Sequence, residues 1–320
     1  MKEFLENKKV LVTGGAGAIG SRLIQMIKDV PGVEIFNIDD FSSGNNIVIE
    51  APNIHFYKDD ILNEKTLEEI FSKKIDIIFH LAANFANQNS VEHPEKDLMV
   101  NGMGTLRILE YSVKYDVKKI IYSSSSCVYG HQDNAMEEEK ITIKLDTPYA
   151  IDKLLGEMYC YYFHDIYKTN VTIFRIFNCY GPGEKPGQYR NVIPNFIKLA
   201  LDGKALPILG NGQETRDFNY IDDVINKMIY VSSLEESEGQ IYNLGSGKET
   251  RIIDIANEIN KQTGNKAGIQ YLPRRSWDNI LKRNSDIKKL ASTGYFEKFP
   301  KETTLQEGIA KTIEFVKSLR

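Results

Sequence analysis

A tyrosine and a lysine four residues apart, Tyr149 and Lys153, have the clearest capacity for chemistry in this sequence. On a helix, side chains at that spacing lie on one face, one turn apart. An ammonium group held near a phenol favours the phenolate, so the spacing predicts that Lys153 lowers the pKa of Tyr149 towards neutrality. A phenolate of this kind accepts a proton from a hydroxyl group, which makes Tyr149 a candidate general base.

A glycine-rich turn lies near the N-terminus, between a short apolar run and a helical pattern. Gly14 permits a tight turn, Gly17 lets backbone N–H groups approach a pyrophosphate, and Gly20 permits close packing of helix against strand. The N-terminus of the helix adds a favourable potential for phosphate. The turn therefore predicts a dinucleotide site formed by Gly14, Gly17, Ala18, Ile19 and Gly20.

Acidic residues follow the second and third predicted strands. A carboxylate at Asp39 is placed to accept hydrogen bonds from both hydroxyls of the adenosine ribose and to repel a 2′-phosphate. No arginine directly follows Asp39, so the expected cofactor is NAD rather than NADP. Asp60, with Ile61 beside it, is expected to contact the adenine amino group. The fourth strand ends in small residues that leave room for the cofactor, at Leu81, Ala82 and Ala83.

The elements that must position these residues alternate between strand and helix. Such alternation predicts βαβ units with right-handed crossovers, and hence an α/β fold with a doubly wound parallel (Rossmann) sheet. The regularity ends after Asn178, which predicts a smaller C-terminal α/β lobe. We expect an NAD-binding domain over 1–177, with a returning segment near 222–247, and an interleaved second lobe over 178–320. Three of the predicted elements bear on the site: a helical pattern over Pro94–Tyr115, a strand-like segment Asp217–Ile221 and a returning strand Gln240–Leu244.

Composition excludes several classes of protein. The chain has 320 residues, 42% hydrophobic and 26% charged, with a formal net charge of −4. That balance is unlike the basic face of a nucleic-acid-binding protein. No apolar run approaches the roughly 18–20 residues that a membrane-spanning helix needs. The three cysteines and five scattered histidines show no disulfide framework and no metal-ligand spacing. We therefore expect a soluble, cytoplasmic protein without metal, membrane or nucleic-acid partners.

Eight motifs together resemble the extended short-chain dehydrogenase/reductase family, in particular its nucleotide-sugar epimerases and dehydratases. The UDP-glucose 4-epimerase branch is the most similar. The motifs span nearly the whole chain, and each is weak by itself. They are TGGAGAIG from Thr13, HLAA from His80, VNGMGT from Val100, YSSSSCVYG from Tyr122, YAIDK from Tyr149, FRIFNCYGPG from Phe174, RDFNYIDDV from Arg216 and YNLGSG from Tyr242.

The resemblance implies roles for individual residues. Tyr149 is the catalytic base, Lys153 also binds the nicotinamide ribose, and Ser125 hydrogen-bonds the reacting oxygen. Asn101 belongs to the cofactor site. The substrate's phosphates and sugar are assigned to Asn178, Asn191, Val192, Arg216 and Arg275, with Arg274 as the alternative to Arg275.

The implied reaction is NAD-dependent epimerisation at C4 of a nucleotide-linked sugar, with UDP the expected nucleotide, through a transient 4-keto intermediate. The related dehydratases carry an Asp-Glu pair where this chain has Ser126 and Cys127, which favours epimerisation. The alternatives are a nucleotide-sugar dehydratase, in which Cys127 acts as an unusual acid, and a non-enzymatic sensor of NAD. The family's sugar gate aligns with Lys282 or Arg283, which implies an acidic or bulky polar sugar. The resemblance also implies a homodimer.

Overall fold

The computed structural model describes residues 2–132, 134–274 and 280–320. The strands within these ranges are short and mostly buried. In chain order they are β1 Lys9–Thr13, β2 Glu34–Ile38, β3 Ile54–Tyr57, β4 Ile77–His80, β5 Lys119–Ser125, β6 Val171–Ile176, β7 Cys179–Tyr180, β8 Leu206–Leu209, β9 Thr215–Arg216, β10 Asn219–Tyr220, β11 Gln240–Leu244, β12 Thr250–Arg251, β13 Ile269–Leu272 and β14 Lys282–Arg283.

The helices follow most of these strands. They are α1 Ala18–Ile27, α2 Glu64–Phe71, α3 Asn87–Glu92, α4 Pro94–Asp97, α5 Gly104–Lys114, α6 Pro148–Tyr167, α7 Val192–Leu201, α8 Ile221–Ser232, α9 Ile252–Thr263, α10 Lys288–Ala291, α11 Tyr295–Lys298 and α12 Leu305–Ser318. Within the described ranges, no helix is both long and apolar enough to cross a membrane.

Seven strands form one parallel sheet in the order β3-β2-β1-β4-β5-β6-β11. The predicted doubly wound α/β fold is therefore confirmed. Helices cover both faces of the sheet. Successive side chains of a strand point to opposite faces, so each strand contributes apolar residues to both layers. Val10 and Val12 belong to one hydrophobic cluster, with residues of α1, α7 and α8, whereas Leu11 belongs to a second cluster with residues of α2, α5 and α6.

Two predicted elements differ in the structure. The expected helix Pro94–Tyr115 is divided into α4, a wider π-helical segment Leu98–Met103, and α5. The expected strand Asp217–Ile221 shrinks to β10, because the backbone changes partner within it: Asp217 donates its N–H to the Arg283 carbonyl at 3.0 Å, whereas Asn219 donates to the Asn178 carbonyl at 2.8 Å. Ile221 already begins α8. The predicted returning strand is confirmed, since β11 pairs with β6 in the main sheet.

The remaining strands build three small sheets beyond the carboxyl edge of the main sheet. They pair as β7 with β10, β8 with β13, and β9 between β12 and β14. Arg22 of α1 forms a two-point ion pair with Asp222 at the start of α8, at 2.6 and 2.8 Å. This contact joins the nucleotide-side helix to the C-terminal part of the chain and helps to fix one wall of the cavity described next.

Candidate active site

A cavity of about 600 Å³ opens at the carboxyl edge of the main sheet. Ligands of open α/β sheets bind at this edge, because loops from several parallel strands converge there. One wall comes from the loops after β1, β2, β4 and β5, and the opposite wall from the loop after β7 and from β9 and β14. Nearly all the predicted site residues line it: Gly14, Gly17, Ala18, Ile19, Gly20, Asp39, Asp60, Ile61, Leu81, Ala82, Ala83, Ser125, Tyr149, Lys153, Asn178, Asn191 and Arg216.

The glycine loop has the geometry that close approach of a dinucleotide requires. Gly14 has φ +71°, and a Cβ there would lie 2.8 Å from the backbone of Ala82. A Cβ on Gly20 would lie 2.3 Å from the Gly14 carbonyl oxygen, so any side chain would push α1 away from β1. Gly17 stands at the N-cap of α1 and exposes the backbone N–H groups of its first turn. The loop therefore fits the pyrophosphate of NAD.

Asp39 is held rigidly across from this loop. Its two carboxylate oxygens accept hydrogen bonds from the backbone N–H of Ala16, at 3.0 Å, and of Phe41, at 2.8 Å. Burial raises the pKa of the Asp39 carboxyl, and these two hydrogen bonds oppose the shift. Each oxygen keeps a lone pair that can accept a ribose hydroxyl. The donor and acceptor set therefore fits the adenosine ribose of NAD, and the specific contact stays a prediction.

Ser125, Tyr149 and Lys153 meet at the end of β5. Thr147 caps α6, with its hydroxyl accepting the backbone N–H of Ala150 at 3.3 Å, and this fixes the turn that bears Tyr149. The Ser125 hydroxyl lies near the Tyr149 hydroxyl, close enough to influence its pKa. Lys153 donates to the Ser123 carbonyl at 2.9 Å, with its Nζ 5.9 Å from the Tyr149 ring centroid. This arrangement can exchange a proton with a hydroxyl placed between Ser125 and Tyr149.

The expected lowering of the Tyr149 pKa is wrong for this structure. Burial raises the pKa of the phenol, and the nearby Ser125 hydroxyl compensates for only part of that rise. The same burial lowers the pKa of the Lys153 ammonium to about 8. Desolvation disfavours both charged forms. It therefore opposes the Tyr149 phenolate and also the Lys153 ammonium that would stabilise that phenolate. Spacing along a helix does not reveal burial, which is why the sequence missed this effect.

Two buried carboxyls beside the catalytic residues were missed from the sequence. Asp97 at the end of α4 and Asp152 on α6 are hydrogen-bonded to each other, and Asn84 donates to Asp97 at 3.0 Å. Burial raises the pKa of both groups, that of Asp152 to about 7. Two carboxyls this close share a proton, because their anions repel each other. The only sign of this pair in the sequence was Asp152 itself, an acid between Tyr149 and Lys153.

This pair predicts a loss of stability as the pH rises. The folded pKa of Asp152 lies above the value of about 4 in the unfolded chain. The folded protein therefore binds the extra proton between pH 4 and 7, and stability decreases through that window. In Asp152→Asn this side chain carries no charge. The loss of unfolding free energy between pH 5 and pH 8 should therefore be smaller than in wild type by roughly 1–3 kcal/mol.

The test compares urea unfolding at the two pH values in wild type, Asp152→Asn and Asp165→Asn. Asp165 is an exposed carboxylate on the same helix and serves as the matched control. Parallel pH dependence in wild type and Asp152→Asn would disprove the shared proton.

Of the predicted site residues that the structure describes, two do not line the cavity. Asn101 is fully buried, and its side chain accepts the backbone N–H of Asn84 at 3.0 Å, so it supports the loop after β4. Val192 begins α7 and packs against the core. Arg275 lies outside the described residues, and its alternative, Arg274, forms an ion pair with Glu214 at 3.5 Å.

Glu184 is a further residue that the sequence did not indicate. It lines the cavity while buried, and its two oxygens accept the backbone and side-chain N–H groups of Asn191 at 3.0 and 3.1 Å. Burial raises the pKa of Glu184. It therefore orients the residue that caps α7 at the entrance of the cavity. Glu184 stands in an irregular Gly-Pro-rich loop, where no periodic pattern could single it out.

Comparison with known proteins agrees with this geometry. The model of the NAD dependent epimerase/dehydratase family matches residues 10–245. A putative UDP-glucose 4-epimerase of Methanocaldococcus jannaschii is 32% identical over 310 residues, which is 97% of this chain and 98% of that protein. The structure of an epimerase from Methanothermobacter thermautotrophicus is 42% identical with a TM-score of 0.94, covering 99% of this chain and 94% of that one.

A UDP-glucose 4-epimerase from Thermotoga maritima, solved with UDP-glucose, is also similar. It is 32% identical with a TM-score of 0.87, and the match covers 98% of this chain and all of that one. Both the fold and the glycine loop of the present chain fit NAD, as the family description requires. The chain therefore belongs to the NAD-dependent epimerase/dehydratase family, within the extended short-chain dehydrogenases/reductases.

Proposed function

We propose that this protein epimerises C4 of a UDP-linked sugar with NAD as cofactor. The observation that carries the proposal is the meeting of Ser125, Tyr149 and Lys153 in the same cavity as the glycine loop. The similar proteins named above are epimerases, one of them solved with a UDP-sugar. Asn178 and Arg216, on the opposite wall, are placed to donate hydrogen bonds to the diphosphate and sugar. Asn191, whose N–H groups are held by Glu184 and Cys179, offers its amide oxygen as an acceptor.

Tyr149 removes the proton of the sugar 4-hydroxyl, and Ser125 holds the oxygen through its own hydroxyl. NAD, when bound, supplies the acceptor for the hydride that leaves C4 and later returns it. Lys153 would bind the nicotinamide ribose, and its ammonium stabilises the phenolate form of Tyr149 before the proton is accepted. The 4-keto sugar then turns in the cavity and presents its opposite face. Tyr149 gives the proton back, which completes the epimer and regenerates the phenolate.

The residues beside Ser125 favour epimerisation over loss of water. Ser126 is buried, and Cys127 lines the cavity with the guanidinium of Arg283 beside its sulfur. Neither position carries the carboxyl that general-acid elimination would use. The first alternative is a dehydratase that uses Cys127 as its acid. The second alternative is a sensor that binds NAD without turnover.

Product analysis tests the proposal. Purified protein and NAD are incubated with UDP-, GDP-, CDP- and dTDP-sugars, and the products are separated by chromatography with mass detection. An epimer elutes separately with unchanged mass, and we expect it from a UDP-sugar. A product lighter by one water supports the dehydratase instead, and no conversion of any sugar supports the sensor.

We also propose a homodimer formed through the outer faces of the π-helical segment, α5 and α6. Supporting this, several large apolar side chains of α6 are exposed, among them Met158 at 62% and Ile166 at 60%. Exposed apolar patches of this kind mark protein interfaces. Size-exclusion chromatography with light scattering measures the mass directly. The boundary between the domains 1–177 and 178–320 and a cytoplasmic location remain predictions, the latter supported by the free thiols of Cys127, Cys160 and Cys179.

A further inference from the structure

Lys282 and Arg283, both aligned with the sugar gate, face opposite directions. They form β14, which runs parallel to Thr215–Arg216. Because side chains alternate along a strand, only one of the two can face the cavity. Lys282 is exposed, whereas Arg283 is 8% exposed and lines the cavity. The cation that reaches the bound ligand is therefore Arg283.

The Arg283 guanidinium is short of partners for a buried charge. Its Nη1 lies 3.3 Å from the sulfur of Cys127, and its buried Nε has no hydrogen-bond partner. Among the residues that the structure describes, no carboxylate lies within ion-pair distance of it. Taking a guanidinium out of water without a counter-charge is costly, so such a group is suited to binding an anion.

The position of Cys127 places this guanidinium beside the reacting part of the substrate. The backbone N–H of Cys127 donates to the Ser125 hydroxyl at 3.2 Å, and Ser125 lies near Tyr149. Arg216, the other arginine of this wall, instead donates to the backbone carbonyls of Thr215 at 2.8 Å and Ile280 at 3.1 Å. Arg283 therefore lies on the side of the cavity where Ser125 and Tyr149 meet.

We propose that Arg283 binds a carboxylate on the sugar, so that the preferred substrate is a nucleotide-linked uronate. A carboxylate pairs with the planar guanidinium through two parallel hydrogen bonds, which a neutral CH₂OH group cannot make. Ser126 and Cys127 suit this substrate, since carboxylates at those two positions would repel it. The proposal rests on the proposed function for its orientation of the sugar, and it specifies the substrate class.

The test measures kcat/KM for UDP-glucuronate, UDP-glucose and UDP-N-acetylglucosamine in wild type, Arg283→Gln and Lys282→Gln. Wild type is expected to prefer the uronate. Arg283→Gln should lower kcat/KM for the uronate by at least about 30-fold and change that for neutral sugars by less than about threefold. Lys282→Gln, which removes the neighbouring exposed cation, should leave the preference unchanged. Preference for a neutral sugar in wild type, or an equal loss for all three sugars in Arg283→Gln, overturns the proposal.

Binding separates this proposal from the proposed reaction. Calorimetry of Tyr149→Phe with the same UDP-sugars needs no turnover, and the uronate should bind more tightly than the neutral sugars. Adding Arg283→Lys should weaken uronate binding, and adding Arg283→Gln should weaken it further. Tight uronate binding with a product that has lost water or carbon dioxide keeps the role of Arg283 and refutes epimerisation. Equal binding of all the sugars refutes the role of Arg283, even where an epimer forms.

Discussion

Tyr149→Phe is expected to lower kcat by roughly 10²–10⁴-fold, the usual contribution of a positioned acid/base group. The phenylalanine ring keeps the shape that fills this buried position but has no hydroxyl to exchange a proton with the sugar. NAD affinity should change little, because the glycine loop and Asp39, which are expected to hold the pyrophosphate and the adenosine ribose, are unchanged. Turnover is measured by chromatography of the UDP-sugars, and NAD binding by calorimetry.

Tyr161→Phe is the matched control for this experiment. Tyr161 stands on the same helix but is 40% exposed, and it does not line the cavity. It should retain the wild-type rate. If Tyr149→Phe also retained it, the proton would have to move through another group, and the assignment of Tyr149 as base would be wrong.

The buried ion pair behind the serine strand predicts the second large effect. Glu157 on α6 accepts hydrogen bonds from Arg175 of β6 at 2.9 and 2.7 Å and from Ser124 at 2.5 Å. Both charged side chains are almost fully buried, at 1% and 3% exposure. Glu157→Gln leaves the guanidinium without its counter-charge, and breaking a buried pair in this way costs about 3–5 kcal/mol of stability. Chemical denaturation of the two proteins measures the difference.

The same change at an exposed pair is the control. Glu314 pairs with Lys317 on α12, with side-chain exposures of 72% and 51%. Glu314→Gln is expected to cost about 0–1 kcal/mol, since surface pairs are screened by water. Equal costs at the two sites would show that burial does not govern the strength of the inner pair.

Because Ser124 precedes Ser125, a stable Glu157→Gln protein should also show a reduced kcat.

Much of the fold and of the cofactor site was predictable because the decisive signals are local. The strand before Gly14 and the helix after Gly20 bracket the turn, and the loop geometry depends on residues within it. The ends of parallel strands meet at one edge of a sheet. Asp39, Ser125 and the glycine loop could therefore be assigned to one cavity from their positions at strand ends.

The sequence by itself therefore determined the doubly wound fold, the NAD loop and the spacing of Tyr149 and Lys153. Only the tertiary structure decided how these groups are charged, because burial depends on elements far apart in the chain. It also decided which of two adjacent cations lines the cavity, since Arg283 meets Cys127 across 156 positions of the chain. The pairing of Asp97 with Asp152 likewise arises where α4 packs against α6. Local spacing carries no information on such contacts, so they required the folded chain.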